Sequence, residues 1–405
     1  MICVGIDWAD KAHSVCVLDA EGNKLAAFDV AHSQQGFEKA HSTIAKYAPS
    51  IDQVGVAIET KDSLLVDFLS EVGYTLYFLN PRQTDRFRDR HRMSHSKTDS
   101  FDAYVLADAL RTDQRLFNSL SPLDEQSLSL RVLSRARKNL VQRKVAIQNE
   151  LTSALKRYFP VALELFNDLD SQGAIDFLLQ YPTYQQARTV SSTRIAAILT
   201  KGGFRKDAAA KRAETVKQKL GEPQPIPSAN VATVFPVAVK SLLRQLKDAL
   251  REIRDIEAQI KVAHRDHPNK DLIDSLPGVA EILGPVIAGE LGAEVTRYAN
   301  LRTLRAYAGT SPVTVSSGKY CAVHFRRACN QHLRRALHLA AQTAIRESVW
   351  ARKLYDRLRA AGKSYGRALR AVADQLIEML YVMLIRRTPY DEDYHLRMQA
   401  LHGKT

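Results

Sequence analysis

Ile2-Cys3-Val4-Gly5-Ile6-Asp7 opens the chain, and its reading decides the fold: a short apolar, strand-forming run that breaks on a carboxylate. Ser14–Asp19 repeats the strand pattern, Glu21-Gly22-Asn23 is a turn, and Leu25–Val30 reads as a third strand. Three strands this close together predict an antiparallel meander. A helix pattern covers Gln34–Tyr47, a buried strand Val54–Ile58, a helix Ser63–Val72, and a further strand Leu76–Leu79. Three consecutive strands, then alternating helix and strand, predict an α/β domain built on a mixed sheet of the ribonuclease H type.

Two acids sit where strands end. Asp7 follows Gly5-Ile6, and Glu59 follows Ala57-Ile58. If these strands are neighbours, the two carboxylates lie side by side. Asp99 and Asp102, three apart at the start of a helix pattern over Asp99–Arg111, are expected to project from one face. Four converging carboxylates repel unless a cation lies among them, and hard divalent ions take all-oxygen donors of this kind. Such ions can clamp the attacking and leaving oxygens of phosphoryl transfer. Asp10, Asp62 and Asp108 are rival acids nearby, and Asp99 can also be read as a helix cap.

The 405 residues carry 58 Lys+Arg against 44 Asp+Glu, a formal charge of +14, which favours a polyanionic partner. Arg82, Arg86, Arg88, Arg90, Arg92 and Lys97 crowd residues 82–97 and read as a phosphate-contacting loop beside the acids. Residues 295–346 hold nine Arg+Lys and no Asp or Glu, a second nucleic-acid footprint. Between these regions, Leu133, Leu140 and Ile147, extended by Leu151 and Leu155, recur at heptad spacing. Val239, Leu246, Ile253 and Ile260 do so again, with Leu243 and Leu250 as a second row. They predict two long coiled-coil helices, packed on each other or across a dimer. Pro223, Pro225 and Pro227 form a stiff link before the second. The chain thus divides into an α/β domain over 1–118, a helical and coiled-coil region over 119–268, and an all-α region over 269–405. Cys3, Cys16, Cys321 and Cys329 form no C-x2-C pair, which argues against zinc and against a disulfide framework. No apolar run reaches the length of a spanning helix, so no membrane partner and a cytoplasmic location are expected.

The combination resembles the transposases of insertion-sequence family 110 over nearly its whole length. The resemblance rests on Gly5-Ile6-Asp7-Trp8-Ala9-Asp10-Lys11, Ala57-Ile58-Glu59-Thr60, Leu79-Asn80-Pro81 and Lys97-Thr98-Asp99-Ser100-Phe101-Asp102-Ala103. It continues in Leu276-Pro277-Gly278-Val279, Tyr307-Ala308-Gly309, Ser317-Gly318 and Asn330-Gln331-His332-Leu333-Arg334-Arg335-Ala336-Leu337. It implies a RuvC-like domain whose acids, here Asp7, Glu59, Asp99 and Asp102, bind Mg²⁺, with Mn²⁺ as an alternative. It also implies a nucleophilic serine, mapped onto Ser317, that becomes joined to a 5′ or a 3′ DNA end. The family implies a noncoding guide (bridge) RNA, DNA at the element ends and target, and a homo-oligomer, dimer or tetramer, that assembles acidic sites with serines.

A serine hydroxyl is a poor nucleophile until it loses its proton. No His or Asp partner stands beside Ser317 in the sequence, so metal activation from the acidic domain is the economical route. Lys319, Arg326 and Arg327 are expected to stabilise charge developing on the phosphate, with Arg334 and Arg335 as further contacts. Ser311 and Ser316 are rival nucleophiles. Leu276-Pro277-Gly278-Val279-Ala280 is similar to a helix-hairpin-helix turn, except that Ala280 replaces its second glycine. The competing functions are a hydrolytic RuvC-like endonuclease and a catalytically silent, domesticated transposase that only binds nucleic acid.

Overall fold

The computed structural model describes residues 1–60, 63–91, 98–117, 119, 123–279, 281–318 and 320–401. Met1–Leu123 with Thr296–Ala299 form one compact unit, and Asp124–Val295 with Asn300–Thr405 the other.

The first unit contains β1 (Ile2–Asp7), β2 (Ala12–Leu18), β3 (Lys24–Ala31), α1 (Gln34–Ile44), β4 (Val54–Ile58), α2 (Leu64–Val72), β5 (Thr75–Phe78), α3 (Pro81–His91) and α4 (Asp99–Asp113). The sheet order is β3-β2-β1-β4-β5. β1, β2 and β3 pair antiparallel, whereas β4 joins β1, and β5 joins β4, in parallel. This is the mixed sheet that the run of three strands predicts. Alternation divides its faces: Val4, Ile6, Val56 and Ile58 pack with Phe37 and Ile44 of α1 and Leu65 and Leu69 of α2. On the other face Cys3, Ala57, Cys16 and Leu18 meet Ala103, Leu106, Ala107 and Leu110 of α4. With both faces covered, the central strands read as nearly unbroken apolar runs. α2 starts on Ser63, whose Oγ accepts from Val66 N–H, and stops at Gly73 with φ 102°. The basic run read as a loop is helical as far as His91, with Pro81 pre-set for the first helical position.

The second unit opens with α5 (Glu125–Tyr158), followed by the shorter α6 (Ala162–Leu165), α7 (Gln172–Gln180), α8 (Tyr184–Thr189), α9 (Ser192–Lys201) and α10 (Lys206–Gly221). The Pro-rich link then leads into α11 (Ala229–Arg265), which runs along α5 within the same chain. Leu151 and Leu155 share a buried core with Val239, Leu243 and Leu246 and with the short helices, and Ile253 and Ile260 are buried further along α11. Leu133, Leu140, Ile147 and Leu250 are only half-buried. The remaining elements are α12 (Lys270–Asp274), α13 (Leu283–Leu291), α14 (Leu301–Ala308), β6 (Val313–Ser317), β7 (Tyr320–His324), α15 (Gln331–Glu347), α16 (Val349–Ala360), α17 (Tyr365–Arg386) and α18 (Glu392–Leu401). The region is mostly helical as expected, but not throughout: β6 and β7 form an antiparallel hairpin. The β-branched run Val313-Thr314-Val315 favours extended backbone, and Gly318, at φ 56°, supplies a turn position that most side chains avoid. Among the described residues, no helix is long and apolar enough to cross a membrane.

Candidate active site

The last paired residues of β1 and β4 are Ile6 and Ile58, so Asp7 and Glu59 occupy the next positions on adjoining parallel strands. The two-residue alternation places both on the face shared by Gly5 and Ala57, the face that α4 covers. Both are half-buried. Gly5 governs how near α4 comes. A Cβ there would lie 2.0 Å from the Ala103 carbonyl oxygen and 2.5 Å from the Ala107 nitrogen, so helix backbone rests directly on strand backbone. α4 runs antiparallel to β1: its far end brings Gln114 Nε2 within 3.6 Å of Met1 Sδ, so its first turn lies toward the Asp7 end. Asp102, the residue before Ala103, belongs to that turn.

The two acids of α4 do not share an environment, contrary to the expectation of one common face. Asp102 is 3% exposed, whereas Asp99 is exposed and follows Thr98 at the helix start. Three residues advance a helix to within about 60° of a full turn, enough to straddle the edge of a buried face. Asp102 Oδ1 accepts from Arg88 Nε at 2.8 Å, and Arg88 Nη1 also donates to Asp85 at 2.7 Å. Burial works against the charge on Arg88, but the two carboxylates outweigh it and raise its pKa. Of the rival acids, Asp108 is buried against Arg111 (2.6 Å from Nη2) and His91 (2.9 Å), a structural ion-paired cluster. Asp10 is exposed, and Asp62 lies outside the described residues.

All four acids are oxygen donors suited to a hard cation, and the Asp7–Glu59 register fits two neighbouring ligands. Asp102 is engaged by Arg88 instead. Among the described residues, no three His, Cys, Asp or Glu side chains come together as a metal-ligating group.

Of the basic residues beside the acids, Arg86, Arg88 and Arg90 lie on α3. Arg88, expected among the phosphate contacts, is directed at carboxylates, and Arg90 Nη1 stands 3.8 Å from Asp113. Arg92, Lys97 and the Arg82 side chain lie outside the described residues.

Ser317 closes β6, paired with Tyr320 across the hairpin turn, and is exposed. Its neighbour Ser316 projects from the opposite face of the ribbon. Lys319 lies outside the described residues. Both feet of the hairpin are anchored to acids that the sequence reading did not single out, Asp374 and Glu290. At the entry, Thr310 Oγ1 donates to Asp374 at 2.7 Å. At the exit, Asn330 Nδ2 donates to Glu290 at 2.8 Å, and the fully buried Glu290 also accepts from Arg135 Nε at 2.8 Å and lies 3.4 Å from Arg131 Nε. Arg326 Nε donates to the Ser311 carbonyl at 3.2 Å, Arg327 is exposed, and Arg335 lines a cleft of about 910 Å³ beside α5 and α11. The turn at Gly278 (φ 79°) serves packing. A Cβ there would lie 2.1 Å from the Ala340 carbonyl oxygen of α15.

Two acids thus stand at adjoining parallel strand ends, on a mixed sheet followed by a basic, mostly helical region. Residues 4–160 match the profile of the DEDD transposase domain of IS110, and residues 270–356 match that of the transposase IS116/IS110/IS902 family. A Streptomyces coelicolor protein that carries the name "Mini-circle putative transposase for IS117" is 30% identical over 393 residues, covering 96% of this chain and 95% of that one. The 42 kDa protein of insertion element IS900 from Mycobacterium paratuberculosis is 27% identical, covering 95% of each chain. The 44.8 kDa protein of insertion element IS116 from Streptomyces clavuligerus is 26% identical, covering 95% of this chain and 94% of that one. The chain belongs to the IS110 family of transposases, enzymes of DNA recombination.

Proposed function

We propose that this transposase is an RNA-guided DNA recombinase that cuts and rejoins strands through a covalent Ser317–DNA intermediate. In this reading Asp7, Glu59, Asp99 and Asp102 hold Mg²⁺, with Mn²⁺ as a substitute. The observation that carries it is the placement of Ser317, exposed at the end of a hairpin whose two feet are tied to Asp374 and Glu290. A nucleophile on so supported a ribbon can meet a phosphate without the scaffold reorganising.

The bound cation would supply charge neutralisation at the phosphate and make loss of the serine proton easier. The protein's own part is to hold Asp7 and Glu59 in register and to keep Asp102 on α4 against β1. As the Ser317 Oγ–P bond forms, a P–O bond of the DNA backbone breaks and the departing sugar oxygen takes up a proton. Rejoining is the reverse, with a new sugar hydroxyl expelling Ser317. Arg326 and Arg327 follow β7 closely enough to neutralise neighbouring phosphates. The acidic residues and the serine act together in a homo-oligomer, a dimer or tetramer, stiffened by α5 and α11 acting as a coiled coil.

Strand exchange between cognate element ends and target, with the element's noncoding RNA, is the test. We expect a protein–DNA adduct on a suicide substrate, loss of activity in EDTA, and a specific RNA co-purifying with the protein. Strand exchange by Ser317→Ala overturns the serine mechanism. Cutting without any adduct makes the enzyme a hydrolase.

A further inference from the structure

Phe325, the first residue after β7, lies between two guanidinium groups: Arg334 Cζ stands 4.5 Å from its ring centroid and Arg370 Cζ 4.4 Å. Arg334 comes from α15 and Arg370 from α17, where Arg367 adds a third cation one turn earlier. Among the described residues, no carboxylate forms an ion pair with any of the three. Asp374 and Glu378, further along α17, pair with Arg305 at 3.3 Å and 2.7 Å. Arg334 Nη1 donates to neutral partners, the Arg326 carbonyl and Cys329 Sγ. Arg370 Nε and His338 Nε2 are buried, with no hydrogen-bond partner among the described residues.

Like charges gathered at a partly buried site oppose folding. Burial first, then Arg334 and Arg367, lower the pKa of Arg370. Burial first, then Arg370 and Arg334, push His338 down to about 4, so its imidazole is neutral at ordinary pH. Stacking against an aromatic ring uses the face of a guanidinium and leaves its edge N–H groups to reach outward. That edge is the fork that fits a phosphate.

We propose that Arg334 and Arg370, braced on Phe325, together with Arg367 one turn before Arg370, bind one backbone phosphate of the DNA strand that runs along the β6–β7 hairpin to Ser317. The inference rests on the DNA-recombinase reading above and assigns a site within it. Four residues of strand separate the Val313–His324 pair from the Ser317–Tyr320 pair, which is about 13 Å. The phosphate held at the base is therefore not the one attacked at the tip. The cluster sets the register of the strand and takes no part in the chemistry, so these are positioning residues.

The test uses the full-length protein and duplex element-end DNA in which single phosphates are replaced by neutral methylphosphonates, one position at a time. Affinity is read across a salt series. We expect Arg370→Gln to lower the slope of log affinity against log salt by about one and to weaken binding about tenfold. One methylphosphonate position should weaken the wild-type protein by a similar factor and leave the variant unaffected. An unchanged slope, with the wild-type pattern of sensitive positions, overturns the proposal. Relief of repulsion should leave Arg370→Gln melting no lower than wild type. If it melts lower, Arg367→Gln, at an exposed position, decides by the same two readouts. Wild-type protein that does not bind element-end DNA overturns the DNA reading along with this site.

Discussion

Arg88 Nε meets Asp102 Oδ1 at 2.8 Å, with 4% of the aspartate side chain exposed. The carboxylate assigned to metal thus has a resident cation of its own. Arg88→Gln removes this cation from a buried carboxylate, and should destabilise the metal-free protein by about 3 kcal/mol. Divalent metal that binds only the folded state should restore what is lost. Thermal melts with and without Mn²⁺ should therefore show a larger metal-induced rise in Tm for the variant than for wild type. Equal rises would mean that Asp102 is not a metal ligand.

Gly5→Ala places a methyl group 2.0 Å from the Ala103 carbonyl oxygen, where only backbone can yield. We expect a loss of about 3 kcal/mol in chemical denaturation, and loss of strand cleavage as α4 shifts off β1. Gly221→Ala, where a Cβ would meet nothing within 4 Å, is the matched control and should change neither.

Ser317→Ala should abolish adduct formation and strand exchange while DNA affinity stays unchanged. Ser316→Ala, altering the opposite face of the ribbon, should retain both. Gel shift and adduct trapping on the same substrate separate the two outcomes.

Burial works against the charge on Glu290, but the hydrogen bonds from Arg135 and Asn330 and the charges of Arg135 and Arg131 hold its carboxyl below the usual range. A depressed folded-state pKa adds stability that is complete above the unfolded value, near 4.3, and lost as pH falls through the lower folded value. Glu290→Gln should cost about 3 kcal/mol at neutral pH and flatten the acid limb of the stability curve. Urea midpoints between pH 3 and pH 7, a window of about four units around that value, measure both.

His338 should shift stability with pH in the same direction, by a different route: its charged form is disfavoured in the folded protein. Folded, it takes up its proton only near 4, whereas an unfolded histidine does so near 6.5. Between those values the unfolded chain binds more protons, so stability rises with pH across the window. Imidazole NMR should show one ring neutral down to about 4 in the free protein and titrating higher once DNA neutralises Arg334 and Arg370. A ring that titrates identically with and without DNA would argue against a phosphate there.

Much of the first unit was legible because both chemical signals are local. Short, continuous apolar runs marked Ile2–Asp7 and Val54–Ile58 as strands, and an acid at the end of each run marked the strand ends. Whether β1 and β4 adjoin is a pairing choice across fifty residues, and only the register of Ile6 with Ile58 answers it. The hairpin was missed although its signal was present: a β-branched run at Val313–Val315, then Ser317-Gly318 before a second short strand. The surrounding helical pattern masked it. Glu290, Asp374 and Arg370 were out of reach for another reason. Each matters through partners 40 or more residues away (Asn330, Thr310 and Phe325 respectively), and no local periodicity carries that information.

The contact of α4 on Gly5 also constrains how the gene can change in length. A single-residue deletion before Ala103 within Asp99–Asp113 would turn the downstream helix by about 100° against the upstream turn. It would carry a bulkier residue toward the one place on β1 without room for a Cβ, and move the first-turn acids away from the strand ends together. Changes of length are better absorbed between elements than in the stretch of α4 that rests on Gly5, where the missing side chain of residue 5 sets the allowed phase of the helix.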